Sequence, residues 1–207
     1  MTTILRRLVG VVLILAGLVA LVVGGWFARA LGTDGTAEFT TRPPADLPLV
    51  IGPDTNARTD IPLTITATAA SDVPITVSIA PPSDARAFLG ESRHARVTGI
   101  EVRDWALTTS TTGSADPLTP ALADLWRSQS TSDGRAEVLA DLESAPETMI
   151  ITTPAGSPLT GLEMTWTNPA WFYQALSVAF GGLLAVLVGL ALLLRRRTAV
   201  ESEEVTR

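Results

Sequence analysis

IPLTITATAASDVPITVSIA, residues 61 to 80, holds two blocks of alternating character separated by Ser71-Asp72. In the first block Ile61, Leu63, Ile65, Ala67 and Ala69 alternate with Pro62, Thr64, Thr66 and Thr68; in the second, Val73, Ile75, Val77 and Ile79 alternate with Pro74, Thr76 and Ser78. A period of two places one set on each face of an extended chain, so each block reads as a half-buried β-strand. Threonine suits the open face because branching at Cβ stiffens χ1 and favours extended backbone. With Ser71-Asp72 as a turn, the pair is expected to form an antiparallel hairpin.

Outward from this stretch, further strands are expected at Glu38 to Thr41, Val97 to Leu107, Leu125 to Ser130, Met149 to Thr153 and Leu159 to Thr167. Pro81-Pro82, Gly113, Asp133-Gly134, Pro154 and Pro158 punctuate them. Ser83 to Leu89 has an N-cap residue, Asp84 in its first turn and Gly90 after its end, and reads as a short helix. Ala136 to Glu143 fits either period, and the Asp133-Gly134 turn favours a strand. Thr108 to Pro120, rich in Thr, Ser, Gly and Pro, reads as a loop and as a candidate for mobility or O-glycosylation. The rhythm is that of an antiparallel β-sandwich.

Two uninterrupted apolar runs enclose this region, Leu8 to Phe27 and Trp171 to Leu194, and neither contains a charged residue. At ~1.5 Å per residue, helices of these lengths extend about 30 and 36 Å, enough to cross a hydrocarbon layer of ~30 Å with some tilt. The expected class is therefore mainly β, with the sandwich (28–170) held between two transmembrane α-helices (8–27 and 171–194). Arg6 and Arg7 precede the first run and Arg195, Arg196 and Arg197 follow the second, which places both tails (1–7 and 195–207) in the cytoplasm and the sandwich outside. Trp26 and Phe27 close the first run, while Trp166, Trp171, Phe172 and Tyr173 lead into the second, as an aromatic belt at the outer interface would require. A cleaved signal with its cut after Ala30 is the competing reading of the first run. Its length and the terminal Trp26-Phe27 favour a retained anchor.

Within the runs, small residues recur every seven positions: Gly10, Gly17 and Gly24 in the first, Ala175, Gly182 and Gly189 in the second. Arranged antiparallel, the stripes coincide and define a helix-helix seam in which Gly24 meets Ala175, Gly17 meets Gly182 and Gly10 meets Gly189. Apart from Ser177, neither run has a polar residue deep in the bilayer, so one protomer offers no ion or proton path.

The chain has no cysteine, which removes disulfides, thiolate chemistry and sulfur-ligated metals. All fifteen basic residues are arginine. Between the runs, nine arginines face eleven Asp and seven Glu, a net charge of −9 that repels nucleic acid and favours solubility. His94 is the sole histidine, and Ser92 beside it lacks the separation a proton-transfer pair needs; a hydrogen-bonded histidine at a helix-to-strand junction is the better reading. Asp54-Thr55-Asn56 with Asp60 hints at calcium, yet Arg58 and Thr59 stand where such a loop needs a ligand and a glycine. Glu101 with Asp104, and Glu137 with Asp141, are carboxylate pairs that a solvated surface explains as well as a glycosidase would. No cofactor or metal is implied.

Ile79-Ala80-Pro81-Pro82-Ser83-Asp84, followed by Phe88-Leu89, His94 and Val97, and later Leu125-Trp126, Gly134, Ile150-Ile151 and Ala155-Gly156-Ser157, resemble a group of actinobacterial membrane proteins of uncharacterised activity. The resemblance covers residues 75 to 160 and departs at Thr152-Thr153-Pro154. It implies an N-terminal anchor, a β-rich outer domain and a C-terminal anchor, and no activity. The functional expectation is a non-catalytic envelope module that touches the lipid bilayer and docks another membrane or envelope protein, in an oligomeric state the sequence leaves open. The alternative is a carboxylate-based enzyme or ligand-binding module acting on a cell-wall or lipid substrate.

Overall fold

A computed structural model describes residues 2–44, 46–56, 61–117, 125–140 and 146–194. The chain divides into two compact units, Met1–Thr36 with Asn168–Arg207, and Ala37–Thr167. The first contains the helices α1 (Thr2–Leu31) and α4 (Pro169–Leu194), both long and apolar enough to cross a membrane.

The second unit is β-rich. Its strands are β1 (Thr36–Thr41, beginning one residue before the unit), β2 (Leu49–Ile51), β3 (Leu63–Thr68), β4 (Pro74–Ala80), β5 (His94–Glu101), β6 (Ala106–Thr112), β7 (Ser128–Asp133), β8 (Arg135–Ala140), β9 (Thr148–Thr152) and β10 (Gly161–Thr167). Two short helices accompany them, α2 (Pro53–Asn56) and α3 (Pro82–Leu89). The strands form one mixed sheet in the order β7-β4-β9-β2-β5-β6-β1-β10-β3-β8, nearly closed into a barrel. This replaces the expected two-sheet antiparallel sandwich, and two of its pairings, β1 with β6 and β2 with β5, are parallel. A period of two reports which face of a strand is buried; it is silent about the neighbour's identity and direction.

The expected hairpin over residues 61 to 80 is the clearest correction. Both blocks are strands, and Leu63, Ile65, Ala67, Ile75 and Val77 are buried as the alternation predicts, but Thr66 and Ser78, expected on the open face, are buried too, and Ile79 is only partly so. They do not pair with each other: β3 lies between β10 and β8, and β4 between β7 and β9. The link from Ala69 to Val73 instead carries the chain from one end of the sheet order to the other. The link from β7 to β8 does the same through Gly134, at φ +68°. Gly134 joins the two corners, its N–H donating to the Val73 carbonyl and its carbonyl accepting from Ala69 N–H, both at 2.9 Å.

The expected strand over Val97 to Leu107 is two strands. Among the described residues β5 and β6 form the only pairing between consecutive strands, turning at residues 102–105 with a bulge between Val97 and Gly99. Trp105 takes the left-handed conformation at that turn, φ +51°, where glycine would be usual. Its ring lies 5.1 Å from Phe39 and its carbonyl accepts from Thr40 N–H. β6 accordingly absorbs Thr108 to Thr112 from the expected loop, whose residues 118–120 lie outside those described. β8 takes the strand reading of Ala136 to Glu143 as far as Ala140, and residues 141–143 likewise lie outside.

Leu49, Ile51, Leu63, Ile65, Ile75, Val97, Met149, Ile151, Leu162 and Met164 pack the interior of this sheet. Val50 and Ile150 point the other way, yet they too are buried, because Ala85 and Leu89 of α3 cover them. That second layer explains why β2 and β9 are buried at every position rather than on alternate residues. α3 begins with Pro82 at its first turn, which suits a position whose N–H has no intrahelical partner. It ends at Gly90, φ +48°.

Candidate functional site

The residues singled out in the apolar runs come together in the first unit. α1 and α4 run antiparallel with their backbones in contact along the small-residue stripes. A Cβ built on Gly17 would stand 2.6 Å from the Gly182 carbonyl oxygen, and one on Gly24 would stand 2.7 Å from the Ala175 carbonyl oxygen and 2.6 Å from Ala179 N. At Gly10 the nearest atom is the Gly189 carbonyl oxygen, 3.1 Å away. Gly25 and Gly181, outside the stripes, face open space. Away from the seam, large apolar side chains are exposed along both helices, among them Leu15, Val22 and Leu184, each at least 60% exposed.

Both ends of this pair are tied by polar contacts. Arg6 Nε donates to the Leu192 carbonyl at 3.1 Å. That oxygen is one of the last four carbonyls of α4, which have no partner within their own helix, and a cation there complements the helix dipole. At the other end Asn168 caps α4: its side-chain oxygen accepts from Ala170 N–H at 3.0 Å, and Pro169 opens the helix. The Asn168 N–H in turn donates to the Gly35 carbonyl, holding the exit of α1 against the entry of α4. Ser177, the polar residue deepest in the second run, donates to the Tyr173 carbonyl one turn back.

Trp26 and Phe27 stack edge-to-face at 4.7 Å, as do Phe172 and Tyr173 at 5.6 Å. The register that sets Gly24 against Ala175 brings these aromatics, with Trp171, to the same end of the helix pair. Trp166 does not share their setting. It is 3% exposed and packs edge-to-face on Phe39 at 5.7 Å inside the β-rich unit, so it is a core residue there and is corrected out of the expected belt. The strand period could have shown this, since Leu162, Met164 and Trp166 share one face of β10. Arg7 is exposed, and Arg195, Arg196 and Arg197 lie outside the described residues.

In the β-rich unit, His94 opens β5 directly after α3, and its Nδ1 lies 2.7 Å from the backbone carbonyl of Ser92. A carbonyl only accepts, so Nδ1 carries a hydrogen and donates it there. The ring engages the Ser92 main chain and not its hydroxyl. Asp54, on α2, receives Arg96 Nη2 at 2.9 Å, and Thr55 is buried with its hydroxyl donating to the Val97 carbonyl. Arg58, Thr59 and Asp60, the remainder of the calcium-like stretch, lie outside the described residues. Glu101 and Asp104 sit exposed at the β5–β6 turn, Glu137 lies 3.7 Å from Arg135, and Asp141 is outside the described residues.

Clefts lined by described residues open on this unit. A threonine-rich groove of about 350 Å³ is bordered by Arg42, Thr66, Thr68, Thr160 and Glu163. Its polar groups largely engage one another: Thr160 bonds Thr68, Thr68 bonds the Gly161 carbonyl, and Thr165 bonds Glu163. The larger cleft, about 470 Å³, lies where α2, α3 and the start of β5 converge, and it contains His94, Arg86, Arg96 and Asp54. Sequence reasoning weighed His94 and Asp54 separately. They are forty residues apart, and only the parallel pairing of β2 with β5 brings their surroundings together. Compared with known proteins, the chain matches no family model and no curated protein sequence.

Proposed function

We propose that α1 and α4 form a paired transmembrane anchor with both tails in the cytoplasm, and that the β-rich unit is an extracytoplasmic, non-catalytic docking module for another membrane or envelope protein. The observation that carries the anchor is the distribution of apolar surface. Two helices that leave Leu15, Val22 and Leu184 exposed while burying, apart from Leu31 at the end of α1, a stripe of glycine and alanine have their apolar faces outward, the arrangement lipid favours and water opposes. The arginines at the tails and the aromatics at the opposite end fit that orientation. The resemblance to two-pass actinobacterial proteins points the same way.

The β-rich unit supports docking through its contrast with the helices. Among its described residues only Val102 and Leu139 are large, apolar and exposed, so its surface is that of a soluble module. Leu139, 66% exposed, stands on β8, the last strand of the sheet order, opposite Thr64. A partner that covers it would remove the largest exposed apolar side chain of the unit from water. The net charge of −9 between the apolar runs argues against nucleic acid as that partner.

A photo-crosslinking amino acid in place of Leu139 tests the docking reading in intact cells. The expected outcome is a discrete adduct with one envelope protein, lost when the photoreactive group is moved to Arg103. Full-level expression with no adduct at Leu139 would contradict it.

A further inference from the structure

Among the described residues that line the larger cleft, the two arginines Arg86 and Arg96 outnumber the one carboxylate, Asp54, whereas the sequence between the apolar runs is acidic. The Arg96–Asp54 pair is half-exposed, a setting in which an ion pair contributes only about 0–1 kcal/mol, so fold stability does not account for it. It is nonetheless closely seated: a Cβ on Gly52 would fall 2.5 Å from Asp54 Oδ1 and 2.9 Å from Arg96 Nη2, so the pair lies close against the main chain there. Arg86 projects from α3 with no ion pair among the described residues. His94 is almost wholly buried, and with Nδ1 donating to the Ser92 carbonyl its neutral tautomer offers Nε2 as an acceptor. Val50, Ala85 and Leu89 supply an apolar wall.

We propose that this cleft binds the terminal carboxylate of an N-acylated amino acid or peptide carrying an apolar side chain. A guanidinium recognises a carboxylate through paired N–H donors. A single excess positive charge matches a monoanion better than a phosphate monoester, whose charge near neutrality is about −1.5 to −2. The ligand's amide N–H meets the acceptor at His94, and its apolar side chain lies on Val50 and Leu89. At about 470 Å³ the cleft falls within the range of about 300 to 1,000 Å³ typical of small-molecule sites. This inference goes beyond docking and needs neither the orientation of the anchor nor a protein partner.

Because His94 is the sole histidine, isotope-labelled histidine gives one set of imidazole signals from the full-length chain in lipid nanodiscs. The probes are N-acetyl-leucine, as its sodium salt, and N-acetyl-leucinamide, which differs only in lacking the carboxylate. N-acetyl-leucine shifts the His94 signals saturably, and the amide binds about ten-fold or more weakly, the loss expected for a charge-assisted hydrogen bond. Arg86→Ala weakens the acid by a similar factor, while Arg103→Ala, remote from the cleft, leaves it unchanged. A non-saturating response, equal binding of acid and amide, or an affinity untouched by Arg86→Ala would each overturn the assignment.

Discussion

Gly134 carries more of the β-rich unit than its size suggests. Its φ of +68° suits a residue without Cβ, and both of its main-chain polar groups bond to the opposing corner, at Val73 and Ala69. An added Cβ would also lie 2.9 Å from Ser71 Cα and 3.1 Å from the Ser71 carbonyl oxygen. Gly134→Ala should therefore cost about 1–3 kcal/mol through backbone strain and displacement of that corner. Urea unfolding followed by tryptophan fluorescence measures it, with Gly156→Ala as the comparison. Gly156 has φ +79° but no atom within 4 Å of its missing Cβ, so it isolates the conformational cost from the steric one. Equal losses at both positions would show that contact with Ser71 adds nothing. Asp133-Gly134 was legible as a turn because glycine supplies positive φ. The turn at Trp105 was not, since a tryptophan in that conformation depends on a ring contact with Phe39, sixty-six positions away.

Among the elements, the helices were the most legible and strand partners the least. A seven-residue recurrence of small residues encodes both the face of a helix and, given opposed directions, its register, which is why Gly10, Gly17 and Gly24 could be matched to Gly189, Gly182 and Ala175 in advance. β2 left no signal: three apolar residues between Pro48 and Gly52 are too few to show a period, and its partners β5 and β9 are remote in sequence. The cleft at α2, α3 and β5 was invisible for the same reason. The seam itself has a direct consequence. In lipid, helices associate through close packing and not through escape from water, so leucine at Gly17 and Gly182 forfeits the contact. Gly17→Leu with Gly182→Leu should loosen the pair without expelling either helix. With Gly17→Cys and Gly182→Cys in this cysteine-free chain, oxidation should give a crosslink within one chain. Crosslinked dimers alone would reassign the stripe to self-association, and absence of any crosslink at this and adjacent depths would refute the seam.

For the whole molecule, the topology of the β-rich unit has a kinetic side. Among the described residues only β5 and β6 are neighbours both in the sheet and in sequence, so nearly every pairing closes a long loop before it forms, a pattern associated with slow folding. The proposed orientation places the tails on one side of a bilayer and the β-rich unit on the other. The measurement is labelling of single cysteines by a membrane-impermeant thiol reagent in intact cells, using Thr112→Cys at the exposed end of β6 and Thr198→Cys in the C-terminal tail. The account predicts modification at position 112 in intact cells, and at position 198 only after the membrane is permeabilised. Modification at 198 but not at 112 in intact cells would contradict it.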